Sequence, residues 1–138
     1  MIVVDATVAA KWYLHESDSV KALALLAGSQ DPLYAPDWIQ AEVASAITRR
    51  HRMGGISRGE AEALISDWNR DLVLGRVELE TWQSLIDEGT NLALATGHGL
   101  IDCLYIACAI RRGATLITTD EKLHRRGKSA YSDIQLLA

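Results

Sequence analysis

The chain alternates short apolar runs with longer stretches whose apolar positions recur at helical spacing. Ile2, Val3 and Val4 predict a strand that ends at Asp5. TVAAKWYLH follows as a helix with Thr7 as a ready N-cap, and SVKALALLAG as a second, stopped by Gly28. PLYAP predicts a short strand, and Pro36-Asp37 the start of a long helix to about Met53, broken by Gly54-Gly55. Ser57 and Glu60 form a capping-box pair for the next helix, in which Ala61, Leu64, Ile65, Trp68 and Leu72 share a face. VLGRVELE alternates and predicts a third strand. A helix from about Thr81 to Thr96 and the apolar helix 100–112 come next, the latter ended by Gly113. ATLIT is a fourth strand, DEKLHRRG a short helix and SDIQLLA a last strand.

Strands separated by helical stretches imply βαβ units and parallel pairing. The expected fold is α/β: a three-layer sandwich with a mainly parallel central sheet of four to five strands flanked by helices. The chain carries no internal repeat, linker or low-complexity tract, so residues 1–138 read as a single domain.

Composition narrows the function classes only a little. With 49% hydrophobic and 23% charged residues the chain is globular rather than disordered. No basic region leads into a long apolar stretch at the N-terminus, and no apolar run is long enough for a membrane span. Cys103 and Cys108 fall on one helix at a spacing that suits neither a disulfide nor a metal motif. Two core thiols in a reducing cytoplasm are expected. Fourteen basic against eighteen acidic residues give a net charge of −4, which argues against a phosphate-backbone binder built on net charge. The basic residues are nonetheless clustered: Arg49, Arg50, His51 and Arg52; Arg111 and Arg112; and Lys122, His124, Arg125, Arg126 and Lys128. Such runs commonly occupy solvated helix ends, where cations suit the helix dipole.

One carboxylate stands out against this background. LIDCLYIACAI holds Asp102 in an otherwise apolar run, and a charge in low dielectric is costly unless paired, protonated or bound to a cation. A place in the first helical turn, where the dipole favours an acid, is one sufficient explanation. Three further acids map to the same edge of the sheet, beyond the carboxyl ends of the strands, where open α/β sheets bind ligands. Asp5 follows the first strand, Asp120 follows TLITT, and Glu42 lies early in the helix after LYAP. Asp5 and Asp120 also suit turn or cap positions. Glu42 falls within the arc of Trp38, Ile39, Val43, Ala46 and Ile47, which turns it toward the core side. Four carboxylates gathered within several ångströms would raise one another's pKa unless a cation neutralised them. Oxygen-only ligands suit Mg²⁺ or Mn²⁺ rather than zinc. Such a site activates water and stabilises charge on a phosphodiester, with one ion or with two. Thr7 and Thr118, each two positions from a key Asp, are placed to orient a carboxylate or water by hydrogen bonds.

In order and spacing, IVVDATV, PDWIQAEVASAI and GLIDCLYIACAIRRGATLITTD resemble a PIN domain over essentially the whole chain. The size and helix-rich middle are most similar to VapC-type toxins of toxin–antitoxin pairs. The resemblance implies Mg²⁺- or Mn²⁺-dependent endoribonuclease cleavage, with the family's acidic residues carried over to Asp5, Glu42, Asp102 and Asp120 and its hydroxyl to Thr7. Asp5, Asp102 and Asp120 would hold the metal directly or through water. Glu42 would hold a second ion or help deprotonate the attacking water. The third basic cluster, with Lys122, Arg125 and Arg126, starts beside Asp120 and could hold the RNA backbone; Arg111 and Arg112 are poorly placed for it. The resemblance further implies a homodimer or higher homo-oligomer and a cognate antitoxin, with Trp12, Trp38 or the Trp68 stripe as candidate surfaces. Localisation would be cytoplasmic.

Rival metal-binding α/β folds fit less well. A phosphoacceptor receiver wants adjacent acids after its first strand, and a haloacid-dehalogenase-like phosphatase wants Asp-x-Asp; the chain reads DAT there. The stronger alternative is a PIN-like module that binds RNA or protein with little or no turnover.

Overall fold

The computed structural model describes residues 1–28, 30 and 32–138. Among these residues, five strands form one parallel sheet: β1 (Ile2–Val4), β2 (Leu33–Pro36), β3 (Val77–Glu80), β4 (Thr115–Thr118) and β5 (Ile134–Leu136). Their order is β3-β2-β1-β4-β5, with β1 at the centre. Val3 pairs with Tyr34 on one side and Leu116 on the other. The order runs outward from β1 in both directions. Crossovers therefore leave on opposite sides, and the carboxyl ends of β1, β2 and β4 frame the crevice of a doubly wound sheet.

Among the described residues, seven helices flank the sheet: α1 (Ala6–Ala9), α2 (Ser19–Gly28), α3 (Ile39–Arg52), α4 (Arg58–Val73), α5 (Trp82–Thr96), α6 (Leu100–Arg112) and α7 (Glu121–Gly127). The three-layer α/β expectation holds. Helix α6 crosses β2, β1 and β4 and packs its outer side on α5. Every residue from Cys103 to Ala109 is buried, which accounts for its apolar sequence. Leu104, Ile106, Val3, Leu33 and Leu116 are at most 1% exposed, each contributing roughly 1.5–3 kcal/mol by leaving water. Cys103 and Cys108 are free, buried thiols; burial pushes Cys108 up to about 12. No single helix among the described residues is long and apolar enough to cross a membrane.

Several local expectations need correction. Asp5, not Thr7, is the N-cap of α1: its Oδ1 accepts the Val8 N–H at 3.2 Å. That helix stops at Ala9 and tightens into a 3₁₀ turn, Ala10–Trp12, rather than running on to His15. Helix α3 starts at Ile39, because Pro36 still belongs to β2 and Asp37-Trp38 form a turn. Only the second half of VLGRVELE is extended: Val73 closes α4, and Gly75, at φ +73°, reverses the chain into β3. The capping box is present, with Ser57 Oγ accepting from Glu60 N at 3.1 Å and Glu60 reaching back to Ser57 N. Trp68 is fully buried and donates to Gln40 O at 3.2 Å, while Leu64, Ile65 and Leu72 of the same stripe are half-buried.

Candidate active site

The strand ends deliver acids to one edge, and short-range hydrogen bonds hold them there. Asp5 leaves β1 and is only 3% exposed. Its Oδ1 accepts from Thr7 Oγ1 at 2.5 Å as well as from Val8 N, and its Oδ2 accepts from the Thr118 hydroxyl. Thr7 Oγ1 in turn accepts from Thr119 N at 3.1 Å, and Thr118 Oγ1 from Asp120 N at 3.0 Å. Both threonines thus stitch the end of β1 to the end of β4. Asp120 lies one residue beyond Thr119 and caps α7, taking the N–H groups of Lys122 and Leu123 on Oδ1 at 2.9 and 3.0 Å. Capping accounts for one oxygen of Asp120 and leaves Oδ2 free of those bonds.

Asp102 sits in the first turn of α6, as its spacing predicts, with a side chain 38% exposed. His98 Nε2 lies 2.8 Å from its Oδ2. Ligand atoms of His98, Asp102 and Asp120 all fall within 4.8 Å of one another. Asp5 and Glu42 lie outside that tight group but within electrostatic reach of it. Burial pushes Asp5 from 3.8 up to about 6 against the opposing bonds from Thr118, Thr7 and Val8, and the Asp102 charge adds to the rise. Glu42, half-buried in the first turn of α3, is also raised, by burial first and by Asp102 as well. Its Oε1 accepts from Tyr105 Oη at 2.6 Å, which draws it toward α6 as the helical arc implied.

A cleft of about 420 Å³ opens beside these groups, lined by Thr7, Lys11, Glu16, Glu42, Ala46 and Thr119. Lys11 Nζ is 2.5 Å from Glu16 Oε2, and Arg50 Nη2 is 2.9 Å from Glu16 Oε1. Of the basic clusters, Arg49 and Arg50 flank the continuation of this seam along α3. Lys122, Arg125 and Arg126 are exposed on α7 beyond Asp120. Arg111 and Arg112 pair instead with Glu80, and Arg111 with Glu88.

His98, Tyr105 and Lys11 were not singled out from the sequence. Tyr105 carries a legible signal, since it lies three residues after Asp102 and shares its helical face. His98 precedes the helix between Gly97 and Gly99, where no periodicity points to it. Lys11 became visible only once α1 was docked against α3.

Residues 2–129 match the family model of the PIN domain. The chain belongs to the PIN family. Ribonuclease VapC3 of Pyrobaculum aerophilum is 27% identical over 123 residues, spanning 88% of this chain and 91% of that protein. The solved structure of VapC20 from Mycobacterium tuberculosis, a toxin that cleaves the sarcin–ricin loop, superposes with a TM-score of 0.72. That match has 16% identity and covers 92% of this chain and 95% of the toxin. A toxin–antitoxin complex from Klebsiella pneumoniae contains a chain that matches at TM-score 0.69 and 13% identity, covering 98% and 96%. The PIN architecture therefore extends over nearly the whole chain.

The donor set suits a divalent cation of the kind this family uses. One oxygen each of Asp102 and Asp120 lie within 4.8 Å of each other, close enough for both to bind one ion held at about 2.0–2.6 Å. Asp5 and Glu42, raised chiefly by burial and further by the Asp102 charge, are also groups a cation would relieve.

Proposed function

We propose that the protein is a Mg²⁺- or Mn²⁺-dependent endoribonuclease that acts as the toxin of a toxin–antitoxin pair. The observation that carries the reading is the geometry around Asp102: Asp120 beside it, Thr118 linking Asp120 to Asp5, and Tyr105 of the same helix holding Glu42. Membership of the PIN family and likeness to VapC ribonucleases support the activity.

Asp5, Asp102 and Asp120 would hold the metal, with Glu42 at the margin of the set. Bound there, a Mg²⁺ or Mn²⁺ ion supplies charge neutralisation and polarisation of the phosphodiester. The rest is the work of the chain. Thr118 and Thr7 fix the Asp5 carboxylate by hydrogen bonds to both of its oxygens. Glu42, made more basic by burial, takes the proton from the attacking water, and Tyr105 holds it toward α6 for that purpose. Lys11 lines the same cleft as Glu42 and meets the RNA backbone there, and Lys122, Arg125 and Arg126 extend the cationic edge past Asp120. A cognate antitoxin partner and a homodimer are part of the same proposal.

The test is cleavage of a mixed cellular RNA pool with Mg²⁺ or Mn²⁺ by wild type, Asp5→Asn and Asp102→Asn. Discrete fragments from wild type alone, abolished by EDTA, are expected. An absence of cleavage together with no calorimetric Mn²⁺ binding by wild type defeats the proposal.

A further inference from the structure

His98 belongs to no carboxylate set, yet it is built into the centre of this one. Its side chain is 5% exposed, and its Nε2 stands 2.8 Å from Asp102 Oδ2. An ionised carboxylate only accepts hydrogen bonds, so the contact requires the ring hydrogen on Nε2. Nδ1 is buried and has no hydrogen-bond partner among the described residues. A residue kept only for packing would avoid that desolvation penalty, since an apolar side chain of similar volume fills the space with no orphaned nitrogen. The ring is present for the bond that Nε2 makes.

The surrounding backbone fixes the ring. Gly97, in the left-handed conformation at φ +70°, ends α5 and turns the chain toward α6, and His98 N donates to Thr96 Oγ1 at 3.2 Å. Cys103 Sγ lies 3.9 Å from His98 O, tying the loop to the first turn of α6. Asp102, by contrast, is partly exposed and would otherwise be free to rotate.

We propose that His98 is a positioning residue: its Nε2–H occupies one side of Asp102 Oδ2 and aims the remaining carboxylate lone pairs at the cation shared with Asp120. This rests on the metal-dependent reading above. Groups that orient metal-binding carboxylates typically contribute 10–100-fold to metal affinity. The role therefore predicts weaker Mn²⁺ binding when the donor is removed, and RNA cleavage restored by raising Mn²⁺. Damage to the fold alone would not be rescued by metal.

The experiment is calorimetric titration of Mn²⁺ into wild type, His98→Gln and His98→Leu, with circular dichroism to establish folding and cleavage assayed across a range of Mn²⁺. Gln offers an N–H donor at similar reach, so H98Q is expected to bind within about threefold of wild type, and H98L roughly tenfold or more weakly. Should H98L not fold, H98N stops short of Asp102 and replaces it. Folded H98L or H98N with wild-type affinity overturns the role of His98 and leaves the nuclease reading standing. Nitrogen coupling from the His98 ring in pulsed EPR of bound Mn²⁺ also overturns it, by making His98 a direct ligand. A wild type that binds no Mn²⁺ takes both readings down.

Discussion

Tyr105 donates a 2.6 Å hydrogen bond to Glu42 and is itself only 1% exposed, so the apolar core helix α6 holds an acid on a different helix by a buried phenol. Burial is the main reason that the phenol stays protonated; the charges of Glu42, Asp5 and Asp102 add to the effect. The hydroxyl is therefore a donor across the working pH range. Tyr105→Phe keeps the packing and deletes only that donor. Expected are a stability loss of about 1–2 kcal/mol in urea unfolding and a fall in kcat of about tenfold, with KM for RNA little changed. An unchanged kcat would remove Glu42 positioning from the mechanism.

Asp5 ties stability to pH. Its folded-state value of about 6 lies above the ordinary 3.8, so the folded protein holds this proton more tightly than the unfolded chain. The stabilisation is complete below about pH 4 and is lost as pH rises through about 6. In EDTA, wild type should lose on the order of 3 kcal/mol from this group between pH 4 and pH 8, and Asp5→Asn should not. Urea midpoints of the two proteins across that range check the sign. Added Mn²⁺ at a hundred times its Kd should return roughly 2.7 kcal/mol to wild type at pH 8, with little effect on the variant.

Thr118 serves two acids at once, donating to Asp5 and accepting from Asp120 N. Replacing it with Val preserves shape while orphaning a buried carboxylate oxygen and a backbone N–H. A loss of about 2–4 kcal/mol is expected, together with weaker Mn²⁺ binding. Loss of stability with full metal affinity would confine Thr118 to the fold.

Ser57→Ala provides the opposite case. It removes the N-cap of α4 and opens a capping box distant in sequence from every acid of the site. About 1 kcal/mol of stability should be lost, with RNA cleavage at saturating Mn²⁺ unchanged.

The sheet, its helices and the edge that gathers the acids were legible because they depend on periodicity and on where strands end. Helix ends were read less well. Thr7 and Asp5 both suit a cap, and only the backbone turn after β1 decides that Asp5 takes the role while Thr7 serves it. The stop of α1 at Ala9 likewise reflects docking rather than propensity, since AKWYLH would continue a helix in isolation. Trp68 and Trp38 have the same side chain and different fates, buried and partly exposed, because burial depends on which helix covers which. Glu42, Asp102 and Asp120 could be named from sequence as acids in awkward places. Their supports could not: Tyr105 and His98 reveal themselves through distances to groups on other turns and helices.

The bond from Thr118 to Asp5 spans 113 positions of the chain. The Asp5 carboxylate lacks that partner until β4 has been made and paired with β1. The acids at 5, 42, 102 and 120 likewise can meet only after the chain through β4 and Asp120 has been made. A growing chain that carries only the first two of them lacks two of the acids that the proposed site requires. For a protein that would cut RNA, the order of synthesis is itself a safeguard for the template and ribosome that make it.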